Sequence, residues 1–148
     1  MPVTLSGRNI DTLDLVRATL TTEASITATS SATGNTCITT GKFSVENGGN
    51  YYVEVFTPYL TKGTTNLDIE LFDGASAAAG TFLQALSGHM TASSVLGDGI
   101  VLIALVNLIA GVHNMTVTGF VDAGTGKFGA GTGATGAAPP AIIRVRSA

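Results

Sequence analysis

The chain has 148 residues, enough for one domain with a real core. It is 45% hydrophobic and only 11% charged, where an ordinary soluble domain has about 25% charged residues. Its net charge is −3 and its seven basic residues are scattered, which speaks against a phosphate-tracking stripe and a nucleic-acid partner. No apolar run reaches the roughly 20 residues of a transmembrane helix, so no membrane partner is expected. A surface this apolar is hard to keep wet on a monomer, and a multi-subunit protein is expected instead. The single cysteine, Cys37, excludes an intramolecular disulfide and reads as a small apolar filler in a strand. The start, Met-Pro-Val-Thr-Leu-Ser, has neither a basic nor an apolar signal region, so synthesis in a cytosol without a cleaved signal is expected.

Residues 1–15 read as an extended N-terminal arm, anchored by Leu5, Ile10, Leu13 and Leu15; their spacing also fits a short helical turn. From Val16 the period is two. Val16, Ala18 and Leu20 alternate with Arg17, Thr19 and Thr21, and Ile26 and Ala28 continue among threonines. Such β-branched alternation favours strand, because those side chains suit a pleated surface. Residues 30–35 read as a loop and 36–40 as a short strand, leading through Gly41 and Lys42 to Phe43 and Val45. Glu46-Asn47-Gly48-Gly49-Asn50 is a hairpin signal, since Asn-Gly supplies the positive φ angles of a type I′ turn.

Residues 51–56 form a strand with Tyr51, Val53 and Val55 on one face and Tyr52, Glu54 and Phe56 on the other. Pro58 ends it or marks an edge. Lys62-Gly63 is the next turn. In residues 66–72, Leu67, Ile69 and Leu71 point inward while Asp68 and Glu70 point outward, and Asp73-Gly74 is a second hairpin signal. Residues 75–99, rich in Ala, Ser and Gly, hold one short helix or a strand around residues 81–86.

Residues 100–110 are uncharged and apolar on both faces of a strand. Ile100, Leu102, Ala104, Val106 and Leu108 point one way. Val101, Ile103, Leu105 and Ile109 point the other, interrupted by Asn107. An antiparallel sandwich normally buries one face of a strand and wets the other. The second face must therefore be covered, by another part of the chain or by another copy of it. Residues 111–114 turn into a strand over 115–121, with Met115 and Val117 on one face. Residues 119–140 are Gly-rich and of low complexity, which predicts a long surface loop unable to build a core. Residues 141–146 form a final strand in which Ile143 and Val145 oppose Ile142, Arg144 and Arg146. About eight short strands with Gly, Asn and Asp turns predict an all-β fold: an antiparallel β-sandwich or jelly roll over residues 16–148.

Motifs for chemistry are sparse, and no enzyme is expected. His89 and His113 each lie near a turn-like glycine and belong to no metal-ligand spacing, so both read as turn histidines and no metal or cofactor is expected. Asp68, Glu70 and Asp73 match no calcium loop and read as a polar outer face beside a hairpin. Gly126-Lys127 is followed by Phe128 where a phosphate loop needs Ser or Thr, and no Gly-x-Ser-x-Gly elbow occurs. Tyr51 and Tyr52 read as a core-plus-interface pair, and Arg144 with Arg146 as a solvated or interface strand face.

Residues 107–117, Asn-Leu-Ile-Ala-Gly-Val-His-Asn-Met-Thr-Val, resemble a stretch of TNF/C1q-like trimeric jelly rolls in which an apolar strand ends in a Leu-x-x-Gly turn. Thr40-Gly41-Lys42-Phe43 and Tyr51-Tyr52-Val53-Glu54-Val55 look like the preceding strands of such folds, and the likeness spans roughly residues 36–145. The opening Thr4-Leu5-Ser6-Gly7-Arg8-Asn9-Ile10-Asp11 and the Thr/Ala/Gly-rich style resemble small virion proteins of tailed bacteriophages, among them capsid decoration (cement) proteins and minor tail or fibre proteins. That resemblance implies a structural protein of the virion, made in the host cytoplasm and assembled as a homotrimer. Tyr52, Phe56, Val101, Ile103, Leu105 and Ile109 would form the subunit interface. Val3, Leu5, Arg8, Ile10 and Leu13 of the arm would contact the major capsid protein or another virion protein. The alternative is a minor tail or fibre-tip protein that binds host-surface glycan through residues 74–99 and 119–140.

Overall fold

A computed structural model describes residues 14–62, 64, 66–87, 99–133 and 136–148. The fold is all-β, an antiparallel β-sandwich. One four-stranded sheet has the order β1 (Asp14–Leu20), β14 (Ala141–Ser147), β5 (Gly49–Thr57), β9 (Ile100–Leu108). A second has the order β3 (Asn35–Thr39), β11 (Met115–Phe120), β7 (Asp68–Asp73), β8 (Thr81–Ser87). A third group is centred on β12 (Gly126–Gly133), which pairs with β13 (Gly136–Ala137), β2 (Thr22–Ile26) and β6 (Leu60–Thr61). The short β4 (Phe43–Val45) pairs with β10 (Gly111–His113).

The strands form where the two-residue period predicts them. In β5, Tyr51, Val53 and Val55 are buried while Tyr52, Glu54 and Phe56 remain half-buried on the opposite face. In β7, Ile69 and Leu71 are fully buried, with Leu67 just before the strand buried too. In β14, Ala141, Ile143 and Val145 are fully buried. These side chains meet Met115 and Val117 of β11 in one core, where Val16, Ala18 and Leu20 pack against it from the sheet edge. Pro58 ends β5, a central strand in which a proline would remove a ladder bond. Residues 81–87 resolve to strand, with Phe82 edge-on to Phe72 of β7 at 5.6 Å between ring centroids.

Several expectations are corrected. The Asn47-Gly48 signal does not make a hairpin: β4 pairs with β10, and β5 pairs with β14 and β9. The turn carries the chain from one sheet to another, a choice that local turn propensity does not encode. Asp73-Gly74 does open a β7–β8 hairpin, with Gly74 at φ +152°. Asp14 and Leu15, assigned to the arm, lie in β1; residues 1–13, with the proposed contacts Val3, Leu5, Arg8, Ile10 and Leu13, lie outside the described residues.

The largest correction concerns residues 119–140. Gly119 and Phe120 belong to β11, and the supposed loop contains β12 and β13. Phe128 and Ala130 have no exposed surface. Gly129 shows one use of glycine in this stretch. A Cβ there would lie 2.6 Å from the ring of Tyr59, so the ring lies flat against bare backbone. The Gly129 amide donates to the Tyr59 carbonyl at 2.9 Å, and Thr57 Oγ1 donates to the Gly129 carbonyl at 2.9 Å. Glycine here makes room for a neighbour's aromatic ring.

Candidate functional site

The outer face of the β1-β14-β5-β9 sheet brings together chemistry that lies far apart in sequence. Pairing register defines its rows. Ile142, Phe56 and Val101 lie side by side on β14, β5 and β9. The next row is Arg17, Arg144, Glu54 and Ile103, followed by Arg146, Tyr52 and Leu105. All these positions share the parity that points away from the core.

The β9 end of each row is apolar and uncovered. Val101, Ile103 and Leu105 are 61%, 54% and 53% exposed. Their alternating partners Ala104, Val106 and Leu108 are buried. Among the described residues, none covers the exposed set. Ile109 lies one residue beyond β9 and is exposed, as is Val112 on β10. Of the six predicted interface residues, the sheet thus places Tyr52, Phe56, Val101, Ile103 and Leu105 on one face, and sets Ile109 at its end.

The middle of the face is charged. Arg144 Nε and Nη2 each lie 2.5 Å from Glu54 Oε2. Arg146 Nε and Nη2 lie 2.8 and 2.7 Å from Oε1. Each carboxylate oxygen is thus occupied by one guanidinium, a strong charge-assisted arrangement. Burial pushes the Glu54 carboxyl up, but the hydrogen bonds and charges of Arg146 and Arg144 outweigh it and hold the group below its ordinary value. Arg146 also sits over the Tyr52 ring, 5.0 Å from its centroid. The pair Arg144 and Arg146 shows in the sequence; that both converge on Glu54 does not, because it depends on the β14–β5 register.

A hollow of about 150 Å³ opens on this face, lined by Arg17, Glu54, Phe56, Val101, Ile142 and Arg144. A wider one, about 470 Å³, lies where β1 begins and β14 ends, lined by Asp14, Leu15, Ser44, Glu46, Asn47 and Tyr51 with Ser147. Tyr51 faces the core, and its hydroxyl donates to the Asn47 carbonyl at 2.8 Å.

The remaining candidate groups are structural. Cys37 is buried, and burial pushes its thiol far up, away from the reactive thiolate. Asp68 accepts from the Asn66 side chain at 3.2 Å and Glu70 from Ser31 Oγ at 2.6 Å. Among the described residues, no cluster of three His, Cys, Asp or Glu side chains is placed to hold a metal ion. His89 lies outside the described residues. His113 is not a turn residue: it belongs to β10, is 8% exposed, and contacts Asp73.

No family model and no curated protein matches the chain. Solved structures do resemble it in fold. The Eiger TNF from S. frugiperda is 15% identical, with a TM-score of 0.47, and the alignment covers 92% of this chain and 94% of that one. The C-terminal CBM6 of LamC, a marine laminarinase from Zobellia galactanivorans, is 14% identical, with a TM-score of 0.45, covering 82% of this chain and 76% of that one. The carbohydrate binding module CBM6cm-2 of Cellvibrio mixtus lichenase 5A, solved with cellotriose, is 14% identical, with a TM-score of 0.43, covering 95% and 93%. All three TM-scores lie below 0.5, and nothing about those proteins is carried over to this chain.

Proposed function

We propose that this chain is a non-catalytic assembly module whose outer sheet face is covered by other copies of itself. The observation that carries this reading is the row Val101, Ile103 and Leu105, each more than half exposed on a regular strand. Complete burial of such a side chain contributes about 1.5–3 kcal/mol. Covering the exposed half of three of them on each of two partners yields roughly 4.5–9 kcal/mol. Association itself costs about 4–15 kcal/mol. The β9 row alone is therefore marginal, and a stable contact also takes in Tyr52, Phe56 and Ile142. A small-molecule site suits this face less well. Its hollow of about 150 Å³ falls short of the roughly 300–1,000 Å³ of ligand pockets.

The finer part of the proposal is that the module is a virion protein: a capsid decoration (cement) protein that binds the phage head as a homotrimer, with residues 1–13 against the major capsid protein. Its support is the resemblance of residues 4–11 and of the Thr/Ala/Gly-rich chain to such proteins. A closed cyclic assembly suits a shell of repeated sites. A second reading, a tail-tip protein binding host glycan, finds a hollow of ligand size, about 470 Å³, at the start of β1 and away from the residues 74–99 and 119–140 expected to bind it.

Light scattering on the purified full chain tests the assembly reading. A multimer that Leu105→Asp converts to a folded monomer supports it. A monomer at high micromolar concentration overturns it. Sedimentation with undecorated capsids and with host cell walls then separates the two locations: binding to capsids alone supports cement, and binding to walls alone supports the tail tip.

A further inference from the structure

Strand β10 ends in a buried histidine both of whose ring nitrogens face acceptors. His113 Nδ1 lies 2.6 Å from Asp73 Oδ2 on β7, and Nε2 lies 2.9 Å from the Ile109 carbonyl. A neutral imidazole carries one N–H and fills only one of these acceptors. The imidazolium carries two and fills both. The surroundings are prepared for that ion. Asp73 Oδ1 also accepts from the Asn114 amide at 2.9 Å, which fixes the carboxylate. The Gly74 amide donates to the Asn114 carbonyl at 2.8 Å, and Thr116 Oγ1 donates to the Gly74 carbonyl at 2.5 Å. The β7–β8 turn and the β10–β11 turn are thus tied together around one ring. The charged group facing the ring is Asp73 from β7; β4 presents the neutral Phe43 ring, 6.1 Å away between centroids.

The ring also reaches outward. By holding the Ile109 carbonyl it positions the β9–β10 connection, whose Ile109 side chain is 73% exposed beside the exposed Val112 of β10. We propose that His113 is a proton-operated latch, whose imidazolium bridges Asp73 to the Ile109 backbone and so fixes the β9–β10 connection that presents the exposed Ile109 side chain. Loss of the proton leaves one acceptor unfilled and frees the connection. Burial pulls the ring toward its neutral form, but the hydrogen bond to Asp73, the Ile109 carbonyl and the Asp73 charge outweigh it and raise its pKa. The latch is therefore closed at low pH and opens as pH rises through this raised value. The latch goes beyond the assembly reading and operates whether or not the outer face is covered.

NMR on the full chain tests it. The His113 ring resonances should titrate above the ordinary histidine value. Asp73→Asn should lower that midpoint while the sandwich spectrum persists. Hydrogen exchange of amides 109 and 110, referenced to Val53 in the core, should accelerate beyond the intrinsic pH trend across the His113 titration. His113→Gln, which has no titrating proton, should abolish that extra step. A midpoint at or below the ordinary value, or exchange at 109 and 110 that follows Val53 through the titration, overturns the latch.

Discussion

The most apolar segment of this protein is half exposed, and the most glycine-rich carries side chains into the core at zero exposure. Strand β9 has no charged residue and shows Val101, Ile103 and Leu105 to solvent. Strand β12, half glycine, places Phe128 and Ala130 at zero exposure. The difference lies in position. Strand β9 is the end strand of its sheet and has the core on one face, whereas β12 lies between β2, β6 and β13 with Tyr59 against it. Burial follows from what a neighbour covers, and composition states only what the segment would tolerate.

The comparison breaks if the two segments do not respond oppositely to mutation. Phe128→Ala should have the largest effect, about 3–5 kcal/mol of lost stability, because a fully buried ring leaves a cavity; a urea titration that shows less than about 1 kcal/mol removes β12 from the core. Gly131→Ala should cost about 2–3 kcal/mol. Gly131 lies at φ +47°, and a Cβ there would sit 1.9 Å from the Thr21 carbonyl oxygen. Thermal unfolding reads this, and an unchanged midpoint means the β12–β2 register is different.

On the β9 side the effects on the subunit are smaller. Glu54→Gln should cost about 1–3 kcal/mol near neutral pH, since it removes the charge held by two arginines. The folded-state pKa of Glu54 is lowered, so its stabilisation is complete above the unfolded value of about 4.3 and is lost as pH falls through the folded value. The unaltered chain should therefore lose stability on acidification more steeply than Glu54→Gln; parallel slopes mean the clamp contributes nothing. Leu105→Asp should change the stability of the isolated subunit least, within about 0.5 kcal/mol, because the side chain is already half in water. A large loss in a dilute unfolding experiment would mean that Leu105 is a core residue.

Much of the sandwich is legible in the chain. Alternation over Tyr51, Val53 and Val55, over Ile69 and Leu71, and over Ile143 and Val145 names the strands and their inner faces, because side chains on a strand point alternately to opposite sides. The two apolar faces of residues 100–110 are equally plain, and so is the need to explain the second. Three features required the tertiary structure. The Asn47-Gly48 turn joins two sheets, since turn chemistry bends the chain but does not choose its partner. Glu54 meets Arg144 and Arg146 only through the β14–β5 register across some ninety residues. His113 gains its two acceptors from Asp73, forty residues away, and from the carbonyl of Ile109. The sequence by itself determined the period of each strand and the face it offers, which are local and steric. The tertiary structure decided which faces are covered and which charges converge, because long-range pairing sets both.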